Sequence, residues 1–101
     1  MECTTNTNGN VFNVKMSGKF TFSDHNSFKE IFSFFDDNSL SQIELDLAQV
    51  EFIDSAALGL LLIVRDEAKK KSKSVVIKAP QGQVKKMFEI SRFYELFDVV
   101  G

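Results

Sequence analysis

Asp54 and Ser55 stand side by side where the residue pattern changes from strand to helix. Phe52-Ile53 lead into the pair, and the apolar run Ala56-Ala57-Leu58 follows it. Either side chain can cap the helix, because a carboxylate or hydroxyl oxygen accepts a backbone N–H of the first turn. The plain reading of Ser55 is such a cap and nothing more. A second reading comes from electrostatics. A helix start carries unpaired N–H groups and partial positive charge. A phosphate on the Ser55 hydroxyl would bring about −1.5 to −2 charges and strong acceptor oxygens to that spot. The fold would tolerate it, while a docked partner would have to desolvate it. Modification of Ser55 would then switch binding and leave the domain intact.

The other reactive side chains are few. His25 is the only histidine, at a helix start, where the ordinary role is a surface or capping residue. A place near Ser55 would let it contact a phosphate. Cys3 is the only cysteine, so no internal disulfide forms and no thiol cluster can hold a metal. No G-x-S-x-G, P-loop, H-E-x-x-H or G-x-G-x-x-G motif is present. An enzyme using Asp54 would lack the paired acid or base that such chemistry needs. A non-enzymatic domain is therefore expected, with no catalytic residue, cofactor or metal.

The elements that position Ser55 can be read from hydrophobic spacing. Threonines in residues 2–7 and the run Val11, Phe12, Val14, Met16 flank Asn8-Gly9, which predicts a β-hairpin, with Gly18 closing the second strand. Ser23 or Asp24 can cap a helix over residues 24–36, with Phe28, Ile31, Phe32 and Phe35 on its apolar face. Phe34 falls off that stripe and is a candidate surface contact. Phe20 and Phe22 are expected to pack under the loop at Thr21. Ile43, Leu45 and Leu47 alternate with Glu44 and Asp46, a strand with one buried face. A helix from about Ala56 to Lys71 follows, apolar nearly all round at its start. Val75-Val76-Ile77 is a short strand, Pro80 opens a helix through Val84 and Phe88, and the tail gives a turn and an edge strand.

This order predicts one α/β domain over residues 1–101. Its sheet is mixed, of four to five strands, with about three to four helices packed mainly on one face.

Composition narrows the function. The chain has 101 residues, of which 44% are hydrophobic and 26% charged, the balance of a globular domain with one modest core. A net charge of −2 argues against a nucleic-acid partner, which calls for clustered cations. The one basic run, Lys69-Lys70-Lys71 with Lys73, reads as a solvated helix end. The polar start, Met1-Glu2-Cys3-Thr4-Thr5, is not a signal peptide, and the apolar stretch Ala56 to Val64 is too short to span a bilayer. A cytoplasmic protein without membrane contact, monomeric on its own, is expected.

The segment Phe52-Ile53-Asp54-Ser55-Ala56-Ala57-Leu58-Gly59 resembles the signature of STAS domains, the anti-sigma factor antagonists of bacterial partner-switching systems. The likeness extends to the strand ending at Gly18, the Ile43–Leu47 strand, and Val84-Lys85-Lys86-Met87-Phe88 before Ser91-Arg92-Phe93. It implies phosphorylation at Ser55 by an ATP-dependent serine kinase that is often the anti-sigma factor itself. It also implies reversal by a PP2C-type phosphatase. Two departures from the family pattern stand out. Ala56 and Ala57 replace the usual hydroxyl residue and glycine, leaving Ser55 without a neighbouring acceptor. Thr21 stands where many relatives carry an acidic residue, with Asp24 a little later. The switch surface implied is Asp54, Ala56, Ala57 and Leu58 together with Thr21, Phe22, Asp24 and His25. A second role open to such domains is that of a binding subunit in a transport or lipid-trafficking complex, or in a regulatory pathway outside sigma control, such as biofilm formation.

Overall fold

Gly9 lies between the first two strands with φ +62°, and it turns the chain back on itself through a two-residue connection. The structure, a computed structural model, describes residues 1–101, apart from the side chains of His25, Ser27 and Glu30. The hairpin pairs β1 (Glu2–Asn8) with β2 (Val11–Phe20), antiparallel, in the sequence positions expected. A chain of short helical turns follows: a 3₁₀ turn at Phe22–Asp24, α1 at His25–Phe28, and a 3₁₀ helix at Lys29–Asp36. Then come β3 (Gln42–Ile53), α2 (Ser55–Lys70), β4 (Ser74–Lys78), α3 (Gly82–Ile90), α4 (Phe93–Leu96) and β5 (Asp98–Val100). The sheet order is β1-β2-β3-β4-β5, with every pair after the hairpin parallel.

The parallel pairs follow from the helices between them, because a crossover connection returns the chain to the same end of the sheet, where the next strand starts in the same direction. Val14 and Met16 of β2, Ile43, Leu45 and Leu47 of β3, and Val75 and Ile77 of β4 point into one core with Phe28, Ile31, Leu61, Val64 and Phe88. Lys15, Glu44, Asp46 and Lys78 alternate with them onto the opposite face, where Lys78 pairs with Glu44 at 3.2 Å. The helices therefore cover one face, and the other stays polar.

The 24–36 segment winds differently from the α-helix expected. Most of it is 3₁₀ helix, with three residues per turn, so side chains at i and i+3 eclipse. Phe28, Ile31 and Phe34 fall on one line and are all buried. Phe34, off the 3.6-residue stripe and so a candidate surface contact, is 1% exposed and belongs to the core with Phe28 and Phe35. It stacks on Phe12 with centroids 5.8 Å apart and meets Phe35 edge-on at 5.0 Å. Lys73 is likewise not a solvated cation. Its ammonium donates to the carbonyls of Phe34 at 2.8 Å and Asp37 at 2.7 Å, over the Phe34 ring.

β3 also departs from plain alternation. Lys15 pairs with Asp46 and Ser17 with Gln49; Gly18 pairs with Val50 and Lys19 with Phe52. At each step β3 uses one residue more than β2, the mark of a bulge. The inward positions therefore run Ile43, Leu45, Leu47, Val50, Ile53, all buried. This re-phasing carries β3 to its end at Ile53 with Asp54 leaving the sheet.

Candidate phosphoacceptor and docking surface

The junction between β3 and α2 is pinned on three sides. Asp54 caps α2 from an extended backbone conformation, and its Oδ1 accepts from the Ala57 N–H at 2.7 Å. Its other oxygen, Oδ2, accepts from the Phe22 N–H at 3.3 Å. Its own N–H donates to the Phe20 carbonyl at 3.3 Å. The third side is held by the side-chain amide of Gln83. It accepts from the Ile53 N–H and donates to the Ile53 carbonyl, each at 3.0 Å. β4 pairs with β3 only as far as Lys78 opposite Asp46. Gln83 thus meets the polar backbone of Ile53 where no strand neighbour reaches it, as buried backbone groups require. Sequence reading did not find Gln83, since a lone glutamine on a helix carries no pattern that announces such a tie.

With Asp54 serving as the cap, the Ser55 hydroxyl has no capping role. Ser55 is the first residue of α2, is exposed, and makes no side-chain hydrogen bond among the described residues. It stands at the positive end of a 16-residue helix, beside two carboxylate-bearing elements. One is Asp54 itself. The other is the 21–24 turn, where Asp24 Oδ2 accepts from the Thr21 N–H at 2.9 Å and Oδ1 meets the Met1 ammonium at 3.2 Å. Thr21 and Ser23 hydroxyls are 2.8 Å apart on the same turn.

The expected switch residues divide by burial. Ser55 and Ala56 are exposed, Asp54, Thr21 and Asp24 are half-buried, and Phe22 is 59% exposed. Phe22 therefore does not pack under the loop; Phe20 does, fully buried and stacked on Phe28 at 5.2 Å. Ala57 and Leu58 do not face outward either, which corrects their place in the surface. At 0% and 6% exposure they belong to the buried stripe of α2 that continues through Leu61, Val64 and Ala68. The start of α2 is accordingly not covered all round: Ala56 and, two turns on, Ile63 remain outside. The side chain of His25 lies outside the described residues.

What this arrangement offers is an outward hydroxyl on a rigid shoulder, flanked by an exposed phenylalanine. Both Asp54 oxygens accept from backbone N–H groups, one on α2 and one on the turn after β2. Among the described residues no helix is long and apolar enough to cross a membrane.

Comparison with known proteins agrees with the fold. The sequence model of the STAS domain family matches residues 2–100. A STAS-domain containing protein of Pseudomonas aeruginosa (strain UCBPP-PA14) is 28% identical over 91 residues, covering 90% of this chain and 89% of that protein. Among solved structures, a Thermotoga maritima protein assigned as an anti-sigma factor antagonist superposes with a TM-score of 0.88 at 16% identity, covering 98% of this chain and 86% of that one. The anti-sigma factor antagonist SpoIIAA in its unphosphorylated form gives 0.83 at 15% identity, over 99% and 89% of the two chains. A sulfate transporter family protein from Wolinella succinogenes shares the fold as well, with a TM-score of 0.77 at 15% identity over 90% and 76%. At these identities the structural likenesses establish the fold alone.

Proposed function

The chain belongs to the STAS domain family, and from that premise we propose that it is a partner-switching protein of the anti-sigma factor antagonist type, controlled by phosphorylation of Ser55. With Ser55 unmodified it docks an anti-sigma factor that is also its serine kinase. ATP-dependent phosphorylation of Ser55 releases it, and a PP2C-type phosphatase restores the docking form. It acts in the cytoplasm and by binding, not by catalysis.

The observation that carries this reading is the division of labour between neighbours. Asp54 holds the helix, so Ser55 is free to be modified without loss of the cap. A phosphate at Ser55 gains from the helix dipole, so the domain stays folded. A partner seated over Ser55, Ala56 and Phe22 gains nothing from it. It would have to bury a doubly charged group beside Asp54 and Asp24, and like charge at an interface costs several kcal/mol.

The sulfate transporter family likeness means that the fold does not by itself choose between a switch and a transport subunit. The exposed hydroxyl favours the switch. Incubation with the anti-sigma-type serine kinase of the source genome and ATP tests it. Peptide mapping is expected to find one phosphate, on Ser55, with Ser55→Ala unlabelled. A phosphate on Thr21 or Ser23 instead, or no labelling, would overturn the assignment.

A further inference from the structure

The sheet ends in two unlike edges. β5 has three residues and presents little strand to a neighbour, which is one ordinary way of protecting an edge. β1 has seven residues, all exposed, and its register with β2 is unbroken from Glu2↔Ser17 to Asn8↔Val11. Of the usual guards it carries only the charge of Glu2, at its very start: the sequence Glu-Cys-Thr-Thr-Asn-Thr-Asn holds no lysine, no proline and no bulge. Because Asn8 and Val11 close a two-residue turn, they form a hydrogen-bonded pair, and alternation assigns Asn6 and Thr4 the same role. The backbone N–H and C=O groups of Thr5 and Thr7 then point away from β2, along the outer edge.

In place of the monomer expected from sequence, we propose that this edge is an interface with a second copy of the chain, joined by antiparallel pairing of β1 with β1. The edge is self-complementary about Thr5. With Thr5 opposite Thr5 on a two-fold axis, Glu2 falls opposite Asn8, and Thr4 opposite Asn6. The one charged residue of the strand thus meets a neutral amide and never its own copy, so the pairing has no like-charge contact to overcome. A two-fold contact of this kind closes as a dimer and does not propagate as a fibre. The result is one continuous sheet of ten strands, twice the five of a single chain. β2 of the two copies runs in opposite directions, so the two Ser55 sites lie at opposite ends of the joined sheet. Neither is covered, and the dimer presents two docking surfaces.

Two substitutions address the edge selectively. Thr5→Pro removes an N–H that β2 does not use, and proline is tolerated on an edge strand facing solvent. Thr5→Lys keeps the N–H but brings two like charges together on the axis. Light scattering of the full chain across micromolar to submillimolar concentration is expected to show twice the 11.4 kDa chain mass for the unmodified protein. Both variants are expected at the single-chain mass, with unchanged circular dichroism. Thr5→Lys decides the matter should the proline variant unfold. A single-chain mass at every concentration would overturn the proposal, as would a dimer that survives both substitutions. Neither result bears on Ser55 phosphorylation, which the separate labelling experiment reads.

Discussion

The Asp54 carboxylate and the Phe22 backbone N–H are joined at 3.3 Å, across the gap between the start of α2 and the turn after β2. The same carboxylate caps α2 through Ala57. One side chain therefore sets both the position of the helix bearing Ser55 and that of the exposed Phe22 beside it.

Two substitutions separate these duties. Asp54→Ala removes both bonds and is expected to cost about 0.5–2 kcal/mol, as loss of a capping residue does. For a domain of this size that is a fall in melting temperature of about 4–8 °C per kcal/mol. Asp54→Asn keeps an oxygen for Ala57 but turns an NH₂ toward Phe22, which cannot accept. It is expected to melt closer to the parent while the Phe22 amide exchanges hydrogen faster. Equal exchange at Phe22 in parent and Asn variant would count against the bridge.

Phe34 tests the 3₁₀ winding. Were it at the surface, Phe34→Ala would change stability by less than about 0.5 kcal/mol. Buried against Phe12 and Phe35, it is expected to cost about 3–5 kcal/mol in urea unfolding.

Ser72 follows α2 with φ +57°, and the Lys73 N–H reaches the Ala68 carbonyl at 2.8 Å. This is the left-handed helix stop that glycine usually fills. Ser72→Gly is expected to stabilise the domain by about 0.5–1 kcal/mol, the relief of left-handed strain outweighing the added chain entropy. A lower melting temperature for the glycine variant would contradict the cap geometry.

Asp37 has its carboxyl held below the ordinary value of 3.8, chiefly by the side-chain hydrogen bond from Ser39 and then by the Ser39 N–H. A depressed folded-state value means that ionisation favours the fold. That contribution is present above about pH 4 and is lost as the pH falls through the lowered value. The stability difference between the parent and Asp37→Asn is expected to be constant from neutral pH down to the ordinary carboxylate range and to shrink below it. A difference that grows on acidification would refute the assignment. Because Asp37 is exposed, the effect is small.

Much of this architecture was legible in the residue pattern. The hairpin, β3, α2 and β4 show themselves by period-2 and helical spacings that their burial follows. Ile43, Leu45 and Leu47 are the clearest case. The phenylalanine-rich segment misled because Phe28, Ile31, Phe32 and Phe35 satisfy an α-helical stripe while Phe28, Ile31 and Phe34 satisfy a three-residue one. Packing against Phe12 and Lys73 decides between the two, and both contacts are distant in sequence. At the site, Asp54 and Ser55 could be placed at a helix start but not told apart as cap and free hydroxyl. Their roles separate only when Ala57 and Phe22 are seen to claim the carboxylate. Motif position puts Ala57 and Leu58 in the switch surface but says nothing about which way a helix start rolls against its sheet, and both roll inward.

The most direct measurement compares affinities of the serine-kinase partner for the parent chain, Ser55→Ala and Ser55→Glu by titration calorimetry without ATP. The parent and the alanine variant are expected to bind alike, and the glutamate variant about 10- to 100-fold more weakly, since each tenfold is 1.4 kcal/mol and like-charge contact costs more than that. Glutamate binding as tight as the parent would contradict the account.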